Sequence, residues 1–481
     1  MPAKHDFRPT PLPLNHDGLT APGGSLTAAK VCRAPRRTRL IAVTVAMTLP
    51  LLRVGRVFGE ENEVGYRKSY YEENDNRISV STDVWSFNVG LKDNIRVSGE
   101  IVVDAITGAT PTGAAAPASW NYKTYNDYFQ AAYQPAYAQA LANLSAFYNT
   151  QQITYQQWTN AAATTARGPA TAAATQAYAA LTNNPSYHSN KVPLTPMHDH
   201  RNAFSLELPM TFGRHQITPS FAYSCESDYI SIGGALNYSL SLNDKNTTLS
   251  AGWAHNGDTV WDHLNTGNWY SKMTDNVFVG LVQLFGPKAY LTVDASLSFE
   301  HGFLADPYRS VMAANLLQDS PDGGGEGLIY EQRPKHRDSQ IFYTSWTQFV
   351  TPLNGSFELS YRFFHDSYGI FAHTAELDWH QKIGKTLVIS PKFRYYVQNA
   401  ADFYYIMVPD ANNLPSFFTS DYRLSEMESL STGVTITWRF QKHWSLDASY
   451  MRYVMQGLDG ATSQSAYPSA DVYSAGLRMW F

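Results

Sequence analysis

Along the last ten residues, Tyr473, Ala475, Leu477, Met479 and Phe481 are apolar or aromatic, and Ser474, Gly476 and Arg478 stand between them. Side chains alternate faces along a strand, so one face of this segment suits an apolar medium and the other suits water. The same alternation recurs upstream. Leu291, Val293, Ala295, Leu297 and Phe299 interleave with Thr292, Asp294, Ser296, Ser298 and Glu300. Leu430, Thr432, Val434, Ile436, Trp438 and Phe440 interleave with Ser431, Gly433, Thr435, Thr437 and Arg439. The pattern predicts strands near 64–73, 76–90, 95–107, 201–213, 215–224, 228–242, 246–256, 272–285, 288–301, 338–350, 355–366, 370–383, 386–399, 421–440, 443–456 and 469–481. About sixteen strands (14–18) fall in the even-numbered range of membrane barrels.

The connections sort into two classes. Lys92-Asp93-Asn94, Gly213-Arg214-His215, Asn243 to Asn246, Gly286-Pro287, Thr351 to Gly355, Gly384-Lys385 and Gln441 to His443 are short and turn-like. They alternate with connections that include every long one, near 107–200, 257–271, 302–337, 400–420 and 457–468. Short turns at one end and long loops at the other are the signature of an antiparallel transmembrane β-barrel. A closed barrel also removes the open edge that an alternating terminal strand would otherwise expose. The terminal Phe481 is the expected assembly signal, read by the barrel-assembly machinery, with outer-membrane lipid as the surrounding medium.

The chain divides into an N-terminal extension and signal peptide (1–59), a barrel (60–481) and, within it, an Ala/Tyr/Gln-rich insertion at 114–200. Arg33, Arg36, Arg37 and Arg39 precede the apolar run Leu40 to Leu52, which has the length of a secretory h-region. No stretch of about 20 apolar residues follows, so helical spans are excluded. In the insertion, Tyr125 to Leu144 and Trp158 to Leu181 are helix-compatible, with a break expected at Gly168-Pro169; a helical hairpin, a lumen plug and a flexible loop all fit.

Composition supports the barrel. Aromatic residues make up 14% of the chain, with 31 Tyr, against 16% charged. Such a balance suits aromatic girdles at two membrane interfaces. Two cysteines, Cys32 and Cys225, are too few for a disulfide framework. Residues 1–59 carry nine Lys/Arg and two Asp, leaving 27 basic and 39 acidic residues and a charge of −12 on the remainder. An acidic chain binds polyanions poorly, which excludes nucleic acid as a partner.

Several motifs resemble those of an uncharacterised bacterial domain-of-unknown-function family of exported outer-membrane barrels: Asp104 to Gly113 (DAITGATPTG), Glu226 to Ser231 (ESDYIS), Leu242 to Thr248 (LNDKNTT), Asp306-Pro307-Tyr308, Ser360 to Gly369 (SYRFFHDSYG), Ala400 to Tyr405 and Ser420 to Ser425 (SDYRLS). The resemblance covers nearly all of 64–481 apart from the insertion. It implies an outer-membrane location with no established activity, and it leaves room for a periplasmic or lipoprotein partner.

Charged residues on the expected lumen face form a candidate lining: Glu358, Arg362, Asp366, Glu376, Asp378, Lys392, Arg394, Arg439 and Arg478. Arg or Lys facing lipid at mid-depth would cost about 2–4 kcal/mol each, so these belong inside. They suit either a ladder of neutralising pairs or a selectivity lining whose opposed strands set up a transverse field. His255, His301, Asp306, His365, Asp402 and Asp421 are a candidate outer rim able to hold a ligand or metal if the barrel converges them. His198-Asp199-His200 offers two further ligands, expected in a loop. His365, Asp366 and Ser367 are sequence neighbours on a strand and point to opposite faces, so they form no triad. No nucleophile elbow, zinc helix or phosphate loop appears, and neither a catalytic role nor a cofactor is expected. The sequence therefore points to a porin-like channel or export conduit with a charged lumen. A plugged barrel that docks a partner and an outer-surface enzyme using the His/Asp rim are the alternatives.

Overall fold

The structure, a computed structural model, describes residues 62–75, 77–111, 113, 125–150, 153–182, 192, 194–263, 267–317 and 325–481. The expected signal segment and the cleavage region lie outside the described residues. Sixteen antiparallel strands form one closed sheet. In chain order they are β1 Glu63–Glu73, β2 Ser79–Lys92, β3 Ile95–Pro111 and β4 Leu194–Glu207, which resumes as Met210–Phe212. Then come β5 His215–Cys225, β6 Tyr229–Leu242, β7 Thr247–Trp261, β8 Trp269–Leu284 and β9 Ala289–Gly302. The rest are β10 His336–Val350, β11 Gly355–Asp366, β12 Phe371–Ile383, β13 Leu387–Gln398, β14 Met427–Gln441, β15 Trp444–Gly457 and β16 Ser469–Trp480. Pro209, which has no N–H, interrupts β4, while its carbonyl still accepts from Arg96 N at 3.0 Å.

The terminal strand closes the ring. β16 pairs antiparallel with β1 from Glu63↔Trp480 to Glu73↔Ala470. Phe481 and Asn62 exchange backbone hydrogen bonds of 3.0 and 3.2 Å at the very end of the seam. Seven short turns lie at this end of the barrel, and every long connection lies at the other. By the usual sorting, the short turns are periplasmic and the long loops extracellular.

The alternation read from the sequence is the alternation of faces. Leu236, Leu249, Val279, Leu297, Leu359, Leu377, Phe393, Ile436 and Leu477 stand exposed on the outer wall, where lipid rather than water receives them. Phe212, Phe285, Trp438, Phe440 and Phe481 ring the periplasmic margin. Along the outer wall several aromatic residues carry polar tips. Tyr66, Tyr395 and Tyr450 donate their hydroxyls to Asp83, Glu428 and Asp471 at 2.7, 2.5 and 2.7 Å. This is the amphipathic arrangement suited to a membrane–water boundary.

Several boundaries differ from the expected ones: β3 runs on to Pro111 and β7 to Trp261, and two more differ at candidate residues. β4 starts at Leu194, so His198-Asp199-His200 lies in a strand rather than a loop. β14 starts at Met427, because Asp421 caps a one-turn 3₁₀ helix at Tyr422–Leu424 by accepting from Arg423 N. In the insertion, two helices form, α1 Tyr125–Asn149 and α2 Tyr155–Thr182. α2 runs through Gly168-Pro169, where a break was expected. Proline there forfeits one backbone hydrogen bond, and packing offsets the loss: Phe129 of α1 is buried against Ala170 and Ala174 of α2.

The outer loops have cores of their own. Ser310–Leu317 and Gly325–Tyr330 form a hairpin, and Met407–Val408 adds a parallel pairing. Behind them, Val311, Ala313, Ile329, Val408, Ala411 and Phe418 are buried together. A second cluster joins Tyr368, Ile370, Phe403 and Leu424, and a third joins Val192, Met427, Met455 and Tyr467. Each large apolar side chain so buried contributes about 1.5–3 kcal/mol. These loops are a built layer over the barrel mouth.

Candidate functional site at the outer mouth

In a ring of sixteen strands, the β1–β2 turn and the β9–β10 loop are half a circumference apart. Tyr422, in the β13–β14 loop, joins them. The Arg77 guanidinium from the β1–β2 turn lies 5.8 Å from its ring centre, and that of Arg309 from the β9–β10 loop lies 5.7 Å from it. Arg77 also pairs with Glu73 at 2.9 Å and donates to the carbonyls of Ser465 and Ala466 in the β15–β16 loop at 2.8 and 3.0 Å. Arg309 is buried and reaches Thr110 Oγ1 at the top of β3 at 3.3 Å. Contacts of this span close a lid across the mouth.

Six charged side chains tie the lid together. Arg423 pairs with Asp306 and Asp421. Arg333 pairs with Glu331 and Asp421, both at 2.8 Å, and Arg309 lies 3.8 Å from Asp306 and from Asp421. Three carboxylates thus meet three guanidiniums, which is the condition under which charges are tolerated out of water. Burial pushes the Asp421 carboxyl upward, but the Arg423 and Arg309 guanidiniums outweigh it and hold the group well below the carboxylate range. At Glu331 burial prevails over Arg333, and its carboxyl is raised.

A second charged group lies on the wall between β4 and the β5–β6 turn. Asp199, Glu226 and Asp228 present oxygens within 4.8 Å of one another. Arg201 pairs with Glu226 at 3.0 Å, and His263 Nε2 lies 3.2 Å from Asp228 Oδ2. Tyr308 donates its hydroxyl to the same Asp228 oxygen. Burial lifts the Glu226 carboxyl to about 8, against the pull of Arg201. The turn Asp306 to Arg309 bridges the two groups, with Tyr308 in one and Asp306 and Arg309 in the other.

The expected outer rim does not converge. His255 lies on the outer wall of β7, 2.9 Å from Asp275. His301 of β9 stacks on His336, and His365 of β11 stacks on Phe371 with ring centres 4.0 Å apart. Asp402 lies against Gly369 in the β11–β12 turn. Of the six rim residues, the structure brings together Asp306 and Asp421, with arginines in place of histidines.

The lumen candidates project inward. Lys392 on β13 pairs with Glu376 and with Asp378 on β12, the latter at 3.3 Å, and Arg394 lies 3.7 Å from Glu376. Arg478 pairs with Glu63 at 3.4 Å, and Arg67, which the sequence reading omitted, pairs with Asp447 at 3.1 Å. The first two of these groups pair adjacent strands, whereas Arg67 on β1 reaches over β16 to Asp447 on β15. Glu358 projects from β11 two residues from Ser360, and Arg362 makes no ion pair among the described residues. Arg439 donates to the Lys442 carbonyl at 3.0 Å, at the periplasmic end. Asp366 is buried at the top of β11, bound by Arg337 at 2.6 Å and by the backbone N–H groups of Tyr368 and Ile370 at 3.0 Å.

Sequence reasoning missed Arg309, Arg333, Arg423, Glu331, Glu226, Asp228 and Tyr308 as site residues. Five of the seven lie in or directly beside the motifs Glu226–Ser231, Asp306–Tyr308 and Ser420–Ser425. Those motifs, far apart in the chain, meet at the mouth.

Among solved structures, the siderophore receptor PirA from Pseudomonas aeruginosa is similar at 8% identity and a TM-score of 0.37, over 86% of this chain and 61% of that one. A bacterial polysaccharide outer membrane secretin is similar at 7% identity and a TM-score of 0.40, over 88% and 99%. A loop L8 deletion mutant of OmpT, an outer membrane protein of Vibrio cholerae, is similar at 9% identity and 0.36, over 88% and 98%. The chain spans less than two thirds of the receptor's length. No curated protein matches it. The model of the family described as protein of unknown function DUF3570 matches residues 44–278 and 269–475, and the chain belongs to that family as a sixteen-stranded barrel of the bacterial outer membrane.

Proposed function

We propose that the protein is a gated outer-membrane channel, with a charged aqueous lumen that its own loops close from outside. One observation carries this reading. Inward-pointing charges keep much of their surface accessible, 48% for Arg67, 41% for Arg478 and 39% for Lys392, so free space remains around them inside the barrel. Sixteen strands enclose a lumen of aqueous-channel width. The lid across the mouth supplies the gate.

The test is single-channel conductance of the purified full chain in a planar bilayer, beside Arg423→Ala, which strips Asp306 and Asp421 of a shared partner. Brief openings in the wild type and longer ones in the variant are expected. Silence from both, with folding and insertion verified, would overturn the channel reading. The packed loop cores favour a second reading in that event: a closed barrel whose outer layer docks a partner, with a periplasmic or lipoprotein partner at its other end.

A further inference from the structure

We propose that Asp199, Glu226 and Asp228 form a binding site for a divalent cation of the calcium type at the wall of the outer mouth. The three carboxylates come from two elements, β4 and the β5–β6 turn, and each is fixed through one oxygen. Asp199 Oδ1 accepts from the backbone of His200 at 2.6 Å and of Ser227 at 3.4 Å. Glu226 Oε1 takes the Arg201 guanidinium, and Asp228 Oδ2 takes His263 and Tyr308. One oxygen from each carboxylate lies within 4.8 Å of the other two, close enough for a single ion to bridge them. A hard cation bound by carboxylate oxygens, with waters completing its shell, fits this donor set.

An independent observation points the same way. Asp104, on β3, is fully buried, and neither of its oxygens has a hydrogen-bond partner. It pairs across the sheet with Arg201 and stands diagonal to Asp199 on the same inward face. Four carboxylates therefore share this wall with one guanidinium. Buried charge of one sign is retained only where something compensates it, and a divalent cation at the three oxygens compensates both the triad and the orphaned Asp104. The bound ion would also tie β4 to Tyr308, hence the barrel wall to the lid. The inference stands whether or not the barrel conducts.

The test is calorimetric titration of Ca²⁺ into the full chain, refolded in detergent without lipopolysaccharide and stripped with chelator. One Ca²⁺ per chain and a rise in Tm are expected. Asp199→Asn retains an acceptor for both backbone N–H groups and should weaken binding at least about tenfold. Glu226→Gln is the second ligand variant, and Asp104→Asn should weaken binding by a smaller factor. Asp275→Asn, on the outer wall, should leave it unchanged. Absence of saturable binding in the wild type, or equal binding in Asp199→Asn and Glu226→Gln, would overturn the site.

Discussion

Tyr308 donates its phenolic hydrogen to Asp228, which binds the loop after β9 to the turn between β5 and β6. The two residues are 80 positions apart in the chain and lie on different sectors of the ring. His263, stacked on the Tyr308 ring with centres 4.7 Å apart, shares the same carboxylate. This contact joins the wall carboxylates to the arginine-rich lid, because Asp306 and Arg309 flank Tyr308.

Replacing Tyr308 with Phe removes that donor and leaves the ring in place. A hydrogen bond to a charged, partly buried acceptor contributes about 1.5–3 kcal/mol. The lid should therefore open more readily, by about tenfold or more in the open-to-closed ratio. Limited proteolysis of the 303–335 loop measures this directly, and channel open time measures it independently. Unchanged cleavage in Tyr308→Phe would show that the bond does not hold the lid.

Acid should release the lid through Asp421 and Asp306. At both, burial raises the carboxyl, but Arg423 and Arg309 outweigh it and bring the group below its ordinary value of 3.8. A depressed carboxyl contributes stability that is present above about pH 4 and is lost as pH falls through the depressed value. Glu331 has the opposite sign. Its raised carboxyl contributes fully below its ordinary 4.5, and the contribution shrinks as pH rises through the raised value. Loop proteolysis against pH should thus show an acid limb that Asp421→Asn weakens and that the double change with Asp306→Asn weakens further. The gentler slope above pH 4.5 should flatten in Glu331→Gln.

The barrel was legible because lipid and lumen impose a period of two on every strand, and Leu430 to Arg439 displays it without help from distant residues. Turn sorting was legible for the same reason, since periplasmic turns such as Gly384-Lys385 are local structures. The lid was not. Arg309, Tyr422 and Arg77 meet only after loops from opposite sides of the ring converge, and no local pattern encodes that. Histidines drew attention as ligand types, yet His255, His301 and His365 alternate outward with the strand period and are separated by the circumference. The continuity of α2 through Pro169 was equally hidden, because the alanine packing that offsets it comes from α1.

Gly108 is where the lid's foundation is most sensitive to a single methyl group. Its φ is +125°, and a Cβ there would lie 1.9 Å from the Arg77 carbonyl oxygen. An alanine must both leave that backbone region and displace the β1–β2 turn. Gly108→Ala should lower stability by at least about 1–3 kcal/mol, seen as a fall in the temperature of heat-modified migration on gels. Gly384, also at positive φ (+60°) but with open space around it, should lose less on the same substitution.

Lys392 stands between Glu376 and Asp378 and is the cation that both carboxylates share. Substituting Lys392 by Met keeps the aliphatic stem and removes the charge. Arg394, 3.7 Å from Glu376, is then the nearest remaining partner and compensates one carboxylate at most. The lumen wall gains about one net negative charge at that level. Permeant cations should be enriched there and anions depleted, since charge lining a narrow water-filled passage sets the local ion ratio. In a salt gradient, the reversal potential should move in the cation-selective direction, and Glu376→Gln in the same background should move it back. The shift should shrink as salt rises from 0.1 M to 1 M, where the screening length falls from about 10 Å to about 3 Å. A reversal potential identical to wild type at low salt would place the Lys392 cluster outside the conducting path and make these pairs purely structural.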